Sequence, residues 1–242
     1  MAHFDDAKEL VKHAKSALPK LEQDYHASLH EKTVKPALLI DIKNIMENLR
    51  SALDFSAHGL FTKYRGSTKA NRKISFPYAV AGQTQSEFRA ANRIETCIPG
   101  ITAARPDIVA RLESYQHYAH PSNNWLPMFM DLNDENKHEK LTPQTRQEAR
   151  QLRIESRGAA IVLESGASGS LGQGALIQLG DVVIPGGQDF SGERPAALHG
   201  SGTQTVIVWM SFTFDGNGEQ VVPFLNTALH SVERIVNELA AL

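Results

Sequence analysis

Arg50, Asp54 and His58 follow one another at four-residue intervals, so on a helix they line up along one edge. A guanidinium, a carboxylate and an imidazole in that order can hold an anion and move a proton. A second polar group, Asn133-Asp-Glu-Asn-Lys-His138, closes the apolar run that starts at Trp125. Within it Lys137 could hold a phosphate, and His138, with an ordinary pKa near neutrality, could donate or accept a proton. If the helices carrying these groups pack together, Arg50, Asp54, Lys137 and His138 form one candidate catalytic constellation. Asp54 would then meet Lys137 or His138, and Arg50 would meet Asp134 or Glu135. The same residues also read as charged pairs that fix the register of two helices.

Other groupings carry less chemistry. His117 and His120 have the i, i+3 spacing of some metal pairs, but spacing specifies no third ligand and zinc takes three or four; no metal is expected. The segment Gly166-Ala-Ser-Gly-Ser-Leu-Gly-Gln-Gly174 shares only its glycine content with a phosphate loop, lacks the Gly-Lys-Ser/Thr ending, and reads as a connection between strands. No cofactor is expected there or elsewhere. Lys63 to Lys73 holds five basic residues and no acid, either a phosphate-contacting loop or a solvated surface. Cys97 is the single cysteine, and nothing around it signals an activated nucleophile.

The elements that must position these residues are mostly helical up to about Gly158. Ile42, Ile45, Met46, Leu49, Leu53 and Leu60 form one stripe of a long helix entered at Pro36, which suits a first helical turn. Phe4, Val11, Leu18, Leu21 and Tyr25 give a first helix from Phe4 to about Lys32, with a break or kink expected near Leu18 because Pro19 lacks an N–H. The two predict an antiparallel hairpin. Ile74-Ser-Phe-Pro-Tyr78 reads as a short extended segment crossing the bundle. Short helices follow around 86–93 and 106–118, then the Trp125 helix. Beyond Gly158, residues 159–163, 176–179, 182–184 and 205–214 read as strands, with a hairpin turn at 215–218. Leu225, Leu229, Val232, Val236 and Leu239 stripe a terminal helix that must dock on the bundle or on a second copy. The expected class is α+β: an antiparallel helical bundle over 1–155, then over 156–242 a small antiparallel β-sheet and a C-terminal helix, packed as a subdomain or with the bundle as one domain.

Bulk composition narrows the function classes. A chain of 242 residues with 41% hydrophobic and 21% charged residues is ordinary for a globular protein rather than a disordered one. A net charge of -2 excludes an extended basic footprint but allows a local one. No apolar run approaches the length of a membrane span, and one cysteine fits a reducing, cytoplasmic setting.

Leu49-Arg-Ser-Ala-Leu-Asp54, Ile74-Ser-Phe-Pro77, Tyr115-Gln-His-Tyr118 and Leu132-Asn-Asp-Glu-Asn-Lys-His138 resemble, in order, the motifs of a large uncharacterised bacterial family. That family has an LRSALD helix, an FP segment, a QPY turn, an N-x-DKHR helix end and a β-rich tail. The chain departs from it at His117, Asn136 and Glu139. The helical arrangement is also similar to the HEPN group, several of which are ribonucleases in toxin and phage-defence systems. Two stretches, Arg111 to His117 and Arg194 to His199, match the spacing of the HEPN arginine and histidine, as many as chance placement gives. The resemblance implies a protein that binds RNA or a nucleotide, in phage defence or a toxin–antitoxin system. If it is an enzyme, it implies a metal-independent ribonuclease. The other expectation is a non-catalytic homodimeric interaction module whose long apolar helices pair across a two-fold axis.

Overall fold

In the computed structural model, residues 2–28, 36–65, 73–138, 144–163, 167–191, 194–214 and 218–242 are described, with backbone alone for 26–28, 136–138, 144–151 and 207–212. The basic loop's centre at 66–72 and most of the expected turn at 215–218 lie outside them. By contacts the chain forms two compact units, Met1–Gln144 with Phe214–Leu242, and Thr145–Thr213.

The helical unit is built on α1 (Ala2–Ser28) and α2 (Pro36–Tyr64), which pack along their length as an antiparallel pair. Their stripes close on each other: Phe4, Ala7, Val11, Ala14, Leu18, Leu21 and Tyr25 are buried, as are Leu38, Ile42, Ile45, Met46, Leu49, Leu53 and Leu60. α1 runs through Pro19 without ending. The ring costs one intrahelical hydrogen bond, and Leu18 and Leu21, buried on either side of it, keep the helix on its partner. Packing outweighs the local break.

At Gly59 the Phe4 ring lies against the α2 backbone. A Cβ built there would lie 2.6 Å from the Phe4 ring, so a larger residue must displace that ring or part the helices. We expect Gly59→Val to lower stability by about 1–3 kcal/mol, the usual cost of overpacking, measurable by urea denaturation.

Four short helices follow: α3 (Gln85–Ala90), α4 (Arg93–Cys97), α5 (Ile101–Ala104) and α6 (Pro106–Ser114). Thr84 and Glu87 start α3 with a reciprocal capping box, satisfying two backbone donors at once. Then α7 (Trp125–His138) packs on α2, with Trp125, Leu126, Phe129 and Met130 buried. The chain's last helix, α8 (Val221–Ala240), contacts α1, α2 and α7. Leu225, Val232, Ile235 and Val236 there are essentially inaccessible. Lys15 reaches Glu233 at 2.9 Å, Asn226 donates to Glu22, and Tyr115 donates to Glu238 at 2.7 Å. The apolar face of α8 is therefore covered by its own chain, and a two-fold interface would have to use another surface.

The β unit contains a three-stranded sheet in the order β2-β1-β7, with β1 (Gln144–Ser156), β2 (Ala159–Leu163) and β7 (Thr203–Phe214). Two antiparallel pairs complete it: β3 (Ser168–Leu171) with β6 (Gln188–Ser191), and β4 (Leu176–Leu179) with β5 (Val182–Pro185). Its core is Leu152, Ile154, Val182, Ile184, Phe190 and Ala196. β1 corrects the expectation of helix up to Gly158: Leu152 and Ile154, two apart, point into the core and pair opposite Leu163 and Ile161. Residues 166–174, read as a connection, contribute β3 itself. After β7 the Phe214 N–H donates to Glu219 O at 2.9 Å and the Gly218 N–H to Phe214 O at 3.1 Å, which closes a reversal between Phe214 and Glu219, with Gly218 at φ +71°; among the described residues the chain then enters α8 rather than a second named strand.

Candidate functional site

The site grows from the extended segment 73–80, whose backbone is held by Asp54 of α2 and by Gln116, two residues beyond α6. Ile74 and Phe76 are buried, Tyr78 is half-buried. Such a segment has backbone groups that no strand neighbour satisfies, and side chains take that role here. Asp54 Oδ1 accepts from the Phe76 N–H at 2.8 Å. Gln116, fully buried, accepts from the Ala79 N–H at 2.8 Å and donates to Pro77 O at 3.1 Å and Leu112 O at 2.8 Å. Asn123 in turn donates to Gln116 O. Farther along, Asn133 donates to Met46 O at 3.0 Å and ties α7 to α2.

Arg50 lies over this clamp. Its Nε is 3.6 Å from Asp54 Oδ2, with the two side chains 20% and 23% exposed, enough to meet solvent on one side. Its guanidinium carbon stands 5.3 Å from the centre of the Tyr78 ring, a cation–π geometry, and Nη1 contacts Met130 Sδ. Asp131 and Asp134, exposed on α7, act on the same ring. Burial, reinforced by Asp134 and Asp131, raises the Tyr78 phenol above its ordinary pKa, while Arg50 pulls the other way. Burial and the charge of Asp134 likewise raise the Asp131 carboxyl. The result is a face with one fixed, half-buried cation stacked on a half-buried ring and two neighbouring carboxylates.

Of the four candidates, Arg50 and Asp54 are brought together. Asp54 binds Arg50 and the Phe76 amide, and Arg50 pairs with Asp54 rather than with Asp134 or Glu135. Lys137 and His138 occupy the last turn of α7, and their side chains lie outside the described residues. His58, next along the edge, faces His3 of α1. Tyr78, Met130 and Gln116 are the partners that spacing did not select. Tyr78 belongs to no periodic element, and a buried glutamine leaves no pattern in sequence.

The remaining motifs stay separate. Arg111 pairs with Glu238 at 3.5 Å, and Nδ1 of His117 is buried without a hydrogen-bond partner. His120 caps a turn through Ser122. Among the described residues no three His, Cys, Asp or Glu side chains cluster as a metal would need, and no helix is long and apolar enough to cross a membrane. A cleft of about 360 Å³ in the same unit is lined by Phe88, Arg93, Val109 and Glu113 among others, none of them a candidate from sequence. Comparison with known protein families, curated proteins and solved structures finds no match for this chain.

Proposed function

We propose that the helical unit is a HEPN-like protein that binds single-stranded RNA or a nucleotide at the Arg50–Tyr78 face, in the cytoplasm and in a phage-defence or toxin–antitoxin setting. The observation that carries this reading is the fixed stack itself. A partly exposed guanidinium paired with Asp54, over a phenol on the segment that Asp54 and Gln116 clamp, offers the two groups that meet a phosphate and a base. Pre-anchoring lowers the ordering cost of binding. Asp131 and Asp134 supply acceptors for the amino groups of a base, and Lys137 and His138 close the same helix with cationic and proton-transferring side chains.

The test is a titration of labelled single-stranded RNA at low and moderate salt. Binding should weaken as salt rises, and Arg50→Gln should lower affinity about tenfold or more, the worth of a charge-assisted hydrogen bond. Cleavage is followed in the same samples with the Lys137→Ala/His138→Ala double variant. Cleavage lost there would make the protein a metal-independent ribonuclease, and binding without cleavage a binding protein. Absent or salt-independent binding would remove the proposal. A homodimeric module finds no comparable support: with the α8 face covered, the large exposed apolar residues in this unit among those described are Ile40 and Val80, far short of an interface core.

A further inference from the structure

We propose that His3 and His58 form a pH-operated latch that holds the first turn of α1 on α2 at neutral pH and loosens it in mild acid. The rings lie 5.4 Å apart between centroids, tilted by 33°, and His3 also meets the Phe55 ring at 6.1 Å. Nδ1 of His3 is buried with no hydrogen-bond partner, so that side of the ring is held by contact alone. The next residue, Phe4, is the one whose ring fills the notch over Gly59. One helical turn therefore makes both contacts, and what happens to His3 is felt by Phe4.

The charges around the pair decide the direction. Facing His58 are His3 from α1, Asp54 one turn earlier on α2, and Lys73 at the start of the extended segment. Burial, then His3, and Lys73 as well, oppose a proton on His58, and Asp54 favours one. The balance lowers the His58 pKa from its ordinary value of 6.5. Asp5 and Asp6 are exposed on α1 and have solvent to answer to. A group whose folded pKa is depressed makes the unfolded or opened state bind the extra proton. The contact is intact above about pH 6.5 and is lost as pH falls from there toward the depressed value. A proton on His58 is opposed by His3 across this partly dry contact.

Hydrogen exchange of the full chain at pH 7.5 and 5.0, corrected for intrinsic rates, reads the latch directly. Protection of the amides at 6–10 should fall about tenfold or more in acid, while amides in the middle of α2 stay protected. In His58→Gln and His3→Gln, each of which removes one ring of the pair, that difference between pH values should shrink to near nothing. Unchanged protection in the wild type would overturn the proposal without any variant. The same acid loss in both glutamine variants would overturn it too, because the charge would then lie elsewhere.

Discussion

Gln116→Ala is expected to cost about 4 kcal/mol, since it orphans the Ala79 N–H and the Pro77 carbonyl at about 1–3 kcal/mol for each buried unpaired group. That is a large share of the about 5–15 kcal/mol by which a domain is stable. Urea denaturation followed by circular dichroism gives the value. A loss below about 1 kcal/mol would mean that the segment 73–80 is held by Ile74 and Phe76 packing rather than by the amide clamp. Because Tyr78 lies inside that segment, the same substitution should also loosen the ring under Arg50. RNA affinity and stability should therefore fall together in this variant, whereas Arg50→Gln should affect binding far more than folding.

Val232→Asp is expected to unfold the helical unit. Val232 is inaccessible on the face of α8 that meets α1 and α2, and a carboxylate placed there has no partner. Buried unpaired charge is among the few changes that cost about 4 kcal/mol or more. Thermal melting and sedimentation together separate this from the alternative. A folded monomer carrying Val232→Asp would show that α8 had been holding a second copy; an unfolded or molten chain is what the intramolecular packing predicts.

How much of this was legible in the sequence varies with the kind of force involved. The stripes of α1, α2 and α8 announce themselves because burial on one helical face imposes a 3.6-residue period, and the α+β order with a terminal helix followed from it. β1 did not. Gln144-Thr-Arg-Gln-Glu-Ala-Arg-Gln-Leu-Arg is made of good helix formers, and only Leu152 and Ile154 show the two-residue alternation that its partner β2 enforces. Pairing decided the strand, and pairing is not local. β3 and β6 are four residues each, too short for any pattern to build.

The candidate site divides the same way. Arg50 and Asp54 were visible as an i, i+4 pair and are one. Their other partners come from an extended segment and from α6–α7 residues tens of positions away, where sequence offers residue types without geometry. Asp54 illustrates the limit: no spacing in the sequence shows that one of its oxygens accepts from the Phe76 amide while the other faces Arg50. The stretches 49–54, 74–77 and 115–118 meet at segment 73–80, where Asp54 and Gln116 hold the backbone on which Tyr78 lies beneath Arg50.

Irradiating the protein with a photoreactive single-stranded RNA bound at low salt, and sequencing the crosslinked peptide, locates the bound strand. The label is expected in segment 73–80, at Tyr78, and is expected to disappear with Tyr78→Leu while the fold is retained. Crosslinks confined to the β unit, or label at 73–80 unchanged by Arg50→Gln, would contradict the assignment of the Arg50–Tyr78 face as the binding site.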